Sequence, residues 1–300
     1  REENRRAVTL QIVGGVAQAY FDLRQFDMQM EIATRTLSAW EESVRIGHAR
    51  LRQGLINKLD VDQFEAERES AAARIAELKR QMIQKENELS VLLGRNPSQI
   101  ARGRSLTEQI MPPVVPAGLP SELLQRRPDV VAAEQQLVAA TARIGVAQAE
   151  RFPKLSLTGI LGVASPHLTD FVSPGTDFGV LAPFVTGPLL NAQTLGFQQR
   201  AAEAQAKQAV AQYEQTILVA FREVEDALVG VSTAREQAAA QERQVNALRS
   251  ALNLANLRYK GGLANYLEVL IAQRSLFVTE LALADTQRLH LVSVVQLYKA

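Results

Sequence analysis

The sequence predicts a mainly α-helical chain in which long antiparallel helical hairpins are interrupted by one β-hairpin, and three observations carry that reading. Apolar residues recur at steps of three and four over spans far longer than an ordinary globular helix. A short central stretch alternates with period two instead. Finally, residues 54–61 read GLINKLDV and residues 262–269 read GLANYLEV, a repeat at an offset of 208 positions. That offset is too large for adjacent units of a short-period solenoid. One ancestral helical hairpin has been used twice, each copy at the same corner of a pseudo-symmetric object. The register continues beyond the phrase, with Glu77 over Asp285, Arg80 over Arg288 and Leu89 over Leu297.

From residue 1 to about 52 there is no proline, and Val13, Val16, Tyr20, Leu23, Met30 and Leu37 form a seam in which Asp27 and Thr34 are the polar members. A flanking stripe at sevens, Ile12, Ala19, Phe26, Ala33 and Trp40, widens the apolar face, so this helix touches two neighbours. At ~1.5 Å per residue it would run roughly 75 Å. Gln53, Gly54 and Leu55 break it, and a second helix over about 56–93 ends at Gly94 with Pro97 beyond, as a glycine C-cap requires. Residues 1–94 thus form a first hairpin. Residues 95–118, with Pro97, Pro112, Pro113 and Pro116, read as a non-helical connector, and residues 119–152 as helices starting at a Ser121 cap and broken at Arg127-Pro128-Asp129.

After Phe152-Pro153 the pattern changes. Leu155, Leu157, Gly159, Leu161 and Val163 alternate with Ser156, Thr158, Ile160, Gly162 and Ala164, and a second alternating run covers 178–185. Residues 153–189 therefore form a β-hairpin whose loop, with Asp170 outermost, spans 165–177. Strands of about ten residues cross a bilayer when tilted, provided that the sheet closes. A lone hairpin does not close, so its partner strands must come from other chains, from a segment preceding Arg1, or from both. Residues 190–300 form the second helical hairpin, broken at Gly261-Gly262. Its last helix carries a seam at 263, 267, 270, 274, 277, 281, 284, 288, 291, 295 and 298 that Arg274 and Arg288 interrupt.

Composition excludes several classes of function. Lys+Arg 33 against Asp+Glu 32 gives a net charge of +1, so there is no electrostatic case for nucleic acid. With no cysteine there is no disulfide, thiol catalysis or cysteine metal site. His48, His167 and His290 are far apart, no phosphate loop or nucleophile elbow occurs, and no catalytic residue, metal site or cofactor is expected. No apolar run reaches the 18 or more residues of a spanning helix. No signal peptide opens the chain, and residues 1–6 read as the middle of a polar helix surface, so the chain reads as part of a longer one.

The segment 119–134, LPSELLQRRPDVVAAE, continued by AQAERFPKLSL at 147–157, resembles the TolC-like outer-membrane factor family, in the branch that serves RND-type drug and metal pumps. The resemblance covers essentially all of the chain. It implies a homotrimer in which helices build a periplasmic α-barrel and strands contribute to a membrane β-barrel in outer-membrane lipid. It also implies a periplasmic adaptor and an inner-membrane RND-type pump as partners, and a passive exit duct rather than an enzyme, located in the bacterial outer membrane with a periplasmic extension. An earlier helix pair and strand hairpin would precede Arg1.

The same resemblance assigns sites at the repeated phrase. Gly54, Leu55, Gly262 and Leu263 would be the adaptor-facing tips, although glycines there also serve simply to end helices. Asp60 and Glu268 would crowd carboxylates around the trimer axis as a gate, where the plain alternative is an acid partnering a helix N-terminus. Leu267 matches the family's apolar constriction. Tyr259 and Arg274 match positions tied to closed-state hydrogen bonding, and Arg274, set on an apolar seam, needs a partner for its guanidinium. Ile271 stands where family members often place an acid. A soluble coiled-coil scaffold is the rival reading, and the alternating strands argue against it.

Overall fold

The computed structural model describes residues 2–109, 126–167, 169, 174–175, 177–188 and 191–300. The expected Ser121 cap, the later part of the connector and the Asp170 loop tip lie outside these residues. The elements are α1 (Glu2–Arg52), α2 (Lys58–Leu92), α3 (Pro128–Ala149), β1 (Lys154–Val163), β2 (Asp177–Thr186), α4 (Ala192–Lys260) and α5 (Tyr266–Lys299). They divide into two compact units, Arg1–Leu123 with Val219–Ala300, and Leu124–Leu218.

In the first unit α1 packs against α2 on one side and α5 on the other. The stripe at sevens supplies Ala19, Ala33 and Trp40 to the core and the seam supplies Leu23, whereas Ile12 and Val13 stay exposed. Two apolar clusters result. Trp40, Val44, Phe64, Ala71 and Leu270 pack near the helix breaks, and Ala19, Leu23, Leu89 and Ile100 pack at the opposite end of the α1–α2 pair.

Between and beside these clusters runs a series of polar ties from α1 to α5. Arg288 donates to Asp22 at 2.8 Å, Gln29 and Gln25 both donate to Oδ1 of Asp285, the former at 2.9 Å, and Arg35 donates to Glu280 at 2.5 Å. The Glu280 carboxylate, only 5% exposed, also accepts from Arg249 of α4 at 2.7 Å, so one buried charge joins three helices. A buried carboxylate is tolerable when paired and hydrogen-bonded in this way.

The start of the connector is tied down by polar contacts. The Gly103 N–H donates to the Tyr20 hydroxyl at 2.8 Å, Arg102 pairs with Asp27 at 3.2 Å and with Glu86, and the Ser90 hydroxyl accepts from the Ser98 N–H at 3.2 Å. Residues 106–108 form a short 3-10 turn, so this part of the connector is not wholly irregular as expected. The Glu108 carboxylate accepts from the Ser105 N–H at 3.3 Å and from the Ser105 hydroxyl at 2.8 Å, which ties the two ends of that turn together.

The second unit holds α3, the β-hairpin and the first part of α4. Pro128 opens α3 at a position where its missing N–H costs nothing. The strands pair antiparallel from Lys154↔Thr186 to Val163↔Asp177, in the span expected from the alternation. At its base a Cβ on Gly187 would lie 3.1 Å from the Pro153 Cα, a tight approach where the strands give way to helices.

Gly47 and Gly15 make opposite predictions within one helix. A Cβ on Gly47 would sit 2.7 Å from the buried Phe64 ring, whereas one on Gly15 meets nothing within 4 Å. Gly15→Ala should stabilise by about 0.5–1 kcal/mol through helix propensity. Gly47→Ala should instead destabilise by roughly 1–3 kcal/mol through overpacking. Thermal denaturation of the two variants checks the sign, and a stabilised Gly47→Ala would show that Phe64 is free to move.

Candidate functional site at the hairpin tips

The two copies of the repeated phrase make the same backbone turn. At the end of α1 the Leu55 N–H donates to the Arg50 carbonyl at 3.0 Å, and the Gly54 N–H to Leu51 at 3.0 Å. At the end of α4 the Leu263 N–H donates to Arg258 at 2.8 Å, and the Gly262 N–H to Tyr259 at 3.1 Å. Gly54 and Gly262 take φ of 69° and 71°, the left-handed conformation that closes a Schellman motif and that side chains resist. The helix-ending role of both glycines is therefore real. Leu55 and Leu263, one residue on, project into solvent, and Leu263 is 76% exposed.

Beyond the turn the copies diverge in side chain. Asn57 caps α2 by accepting from the Asp60 N–H at 2.9 Å, and the Asp60 carboxylate accepts from the Asn57 N–H at 3.3 Å, a complete capping box. Asn265 stands at the same place before α5 without a side-chain cap bond. Glu268, the counterpart of Asp60, lies 3.6 Å from Arg258 instead. The structure thus gives Asp60 its helix-terminal role and leaves Glu268 exposed.

The tips are joined by aromatic side chains. The Tyr266 ring meets Phe64 edge-on at 4.1 Å between centroids and Tyr259 at 4.9 Å, and its hydroxyl donates to Ser43 at 2.7 Å. The Arg50 guanidinium lies over the Tyr259 ring at 4.4 Å. Each such ring contact is worth about 0.5–1.5 kcal/mol beyond its buried area. Burial pushes the Tyr266 phenol above its usual range, against the opposing pull of the Ser43 hydrogen bond.

Of the residues expected from sequence, Tyr259 belongs to this junction, while Leu267 and Ile271 are exposed on α5. The Arg274 side chain is 68% exposed and finds its partner in Glu67 of α2 at 3.9 Å. The buried face of α5 runs through Val269, Leu270, Gln273, Glu280, Leu283, Ala284, Leu291 and Val292, so the expected seam holds at 270, 284 and 291 and fails at 263, 267, 274 and 298. Sequence reasoning missed Tyr266, Phe64 and Arg50. The signal available was Tyr266 itself, an aromatic residue where the first copy has Lys58.

The histidines are dispersed. His48 contacts Glu65 at 3.0 Å, and burial, with Arg235 nearby, holds His290 below its usual range. Among the described residues no group of three His, Cys, Asp or Glu side chains could hold a metal ion.

Comparison with known proteins gives these features a family. The "Outer membrane efflux protein" family matches residues 1–95 and 119–300. This chain belongs to the outer membrane efflux protein family. It is 38% identical over 300 residues to the solvent efflux pump outer membrane protein SrpC of Pseudomonas putida, covering 100% of this chain and 64% of that protein. It is 35% identical to the cation efflux system protein CusC of Escherichia coli K12, covering 65% of it. The chain thus spans somewhat under two thirds of the length of these relatives. It also superposes on the open-state MtrE outer membrane channel of Neisseria gonorrhoeae with a TM-score of 0.88 at 33% identity, over 99% of this chain and 67% of that one. The efflux-protein relationship accounts for the paired helical hairpins and for a β-hairpin between them.

Two measurements check this geometry. Asn57→Ala should cost about 1 kcal/mol, whereas Asn265→Ala should cost at most a few tenths, because only the first removes a cap bond. Equal costs in thermal denaturation would contradict the difference in capping. Asp285 supplies the pH test. Burial is the leading influence on its carboxyl and raises its pKa against the opposing pull of Arg288, Arg74 and the two glutamines. Its ionisation is therefore disfavoured in the folded state. Its contribution to stability is greatest below the ordinary aspartate value of about 3.9 and falls as pH rises through the raised folded value. D285N should lose that decline and match or exceed the wild type near neutral pH. A variant that is less stable only at neutral pH would mean that the arginines dominate.

Proposed function

We propose that this chain is the main part of a passive exit duct in the bacterial outer membrane, through which an inner-membrane pump, coupled by a periplasmic adaptor, expels small solutes. The observation that carries it is the β-hairpin. Its ten-residue strands expose Leu155, Leu157, Leu161, Leu181 and Val185 on one face, which suits lipid and not water. A two-stranded sheet needs neighbours to bond its outer edges in a membrane, and identical copies in a trimer supply them. The printed activities of the relatives, solvent efflux for SrpC and cation efflux for CusC, support an export role for this chain. Two solved structures that this chain resembles, OprN and MtrE, are outer membrane channels.

The tips carry the adaptor-facing and gating roles in this reading. Leu55 and Leu263 at the turns offer the adaptor an apolar knob on each hairpin. Leu267, Glu268 and Ile271, exposed on one protomer, face the axis as a constriction, with Asp60 confined to its capping role. Tyr259 acts through the Arg50 and Tyr266 contacts, and Arg274 through Glu67. A soluble scaffold has no use for the apolar hairpin, which is the feature that separates the two readings.

Planar-bilayer recording of the intact protein tests this directly. A trimeric duct should conduct, and an absence of any conductance from bilayer-inserted protein would sink the proposal. The gate makes a graded prediction. Arg274→Ala removes an exposed, long ion pair worth at most about 1 kcal/mol and should change conductance little. Tyr266→Ala removes two ring contacts and a hydrogen bond, roughly 2–4 kcal/mol, and should raise conductance clearly. The reverse order would assign the closing tether to Arg274.

A further inference from the structure

We propose that the even-numbered face of the β-hairpin lines the exit path and that Phe178 and Phe184 on it favour passage of apolar and aromatic solutes. This rests on the duct reading above and deepens it to a solute class.

The strand register separates the two faces cleanly. Odd residues pair with odd and even with even, so each face is one set of cross-strand partners. The odd face pairs Leu155 with Val185, Leu157 with Pro183, Gly159 with Leu181 and Leu161 with Gly179. From Leu155 to Leu161 it carries no hydrogen-bonding side chain. Leu161 lies across Gly179 and Leu181 across Gly159, where a Cβ would come within 3.0 Å and 3.6 Å of them, so leucine covers both glycines and leaves the face continuous. The even face pairs Lys154 with Thr186, Ser156 with Phe184, Thr158 with Ala182, Ile160 with Val180 and Gly162 with Phe178. Each face carries one charge at an end, Lys154 on the even face and Asp177 on the odd, but only the even face has hydroxyls in its interior, Ser156 and Thr158, which are costly against hydrocarbon and cost little against water. The odd face therefore takes the lipid and the even face the lumen.

A lumen-facing strand is ordinarily polar. This face is polar at only four of its ten positions, Lys154, Ser156, Thr158 and Thr186. Phe178 is held across the strand pair, since a Cβ on Gly162 would fall 2.9 Å from its ring, an aromatic side chain covering a cross-strand glycine. Phe184, half exposed opposite Ser156, offers its ring to whatever passes. Six residues of strand separate the two rings by roughly 20 Å. Ile160 and Val180 lie between them on the same face. A solute crossing this segment meets an apolar track with an aromatic ring at either end, beside hydroxyls that keep the path wetted. Such a track shortens the dwell of no hydrophilic solute, but it lowers the cost of desolvating an apolar one and gives organic cations a π face.

The test uses the intact protein with its adaptor and pump in a host lacking its own duct, with two readouts. The first is labelling by a membrane-impermeant maleimide of F184C and of L181C; an introduced cysteine is the only one in these 300 residues. Reaction at 184 and protection at 181 is expected. Reaction at 181 with protection at 184 inverts the faces and overturns the proposal, as does protection at both. Reaction at both positions means that no bilayer surrounds the hairpin and removes the duct reading as well. The second readout is export of N-phenyl-1-naphthylamine against export of a small hydrophilic dye. F178S and F184S should each lower export of the apolar probe by roughly threefold or more, with the hydrophilic dye unchanged, while F184Y should keep both. Equal changes in the two probes, or no change, overturn the selectivity. A wild-type protein that exports neither probe instead refutes the duct itself.

Discussion

The packing of the first unit depends on α1 having two buried sides. A helix with a single apolar stripe pairs once, whereas the combination of a three-four seam and a stripe at sevens sets α2 against one side and α5 against the other. Leu23 and Trp40 are buried as a consequence, and so are Gln25 and Gln29, which no hydrophobic pattern would place inside. Both glutamines are satisfied there because α5 presents Asp285 to them. Polar pairing between α1 and α5 thus sets the register of the two hairpins, with Asp22, Gln25, Gln29, Arg35 and Ser43 meeting partners that run the opposite way along α5. Apolar contacts tolerate sliding; a carboxylate shared by two arginines does not.

The limits of the sequence reading follow from the same interface. Helix spans, glycine breaks and strand boundaries were legible because each has a local cause: propensity, a positive φ at Gly54 and Gly262, and a period of two. The face of α5 was not. Apolar periodicity assigns burial to Leu263, Leu267 and Arg274's turn, yet those positions are exposed on one protomer, while Gln273 and Glu280 are buried, the latter through its pairs with Arg35 and Arg249. Periodicity reports where apolar residues lie and is blind to whether their cover comes from the same chain. It is equally blind to polar residues whose partner lies some 250 positions away, as Arg35 and Glu280 do.

Duplication explains what the tips share and divergence what they do. The backbone turn is identical because its cause, a left-handed glycine followed by a helix start, is in both copies. The acids then part company. Asp60 has the reach to close a capping box on Asn57, while the longer Glu268 extends towards Arg258. An acid engaged in a cap is fixed, and only one making a loose, exposed pair remains free to respond to a neighbour. The two tips are therefore equivalent in position and unequal in chemistry.

That inequality has a mechanical consequence. Tyr266 occupies the position that Lys58 holds in the first copy, and it turns inward to Phe64, Tyr259 and Ser43, so the second tip grips the first. Gly47 is the counterpart on α1, since any side chain there would displace the Phe64 ring that Tyr266 packs on. In the proposed duct, opening at the tips would break this junction first, because below it the ties are charge-assisted and shared among three helices at Glu280. Aromatic contacts near the turn are individually weak and break one at a time, whereas the buried carboxylate would be left uncompensated if either arginine withdrew. The same chain thus combines a compliant end and a stiff shaft, the division of labour that the proposed duct would need if it opened from its tip.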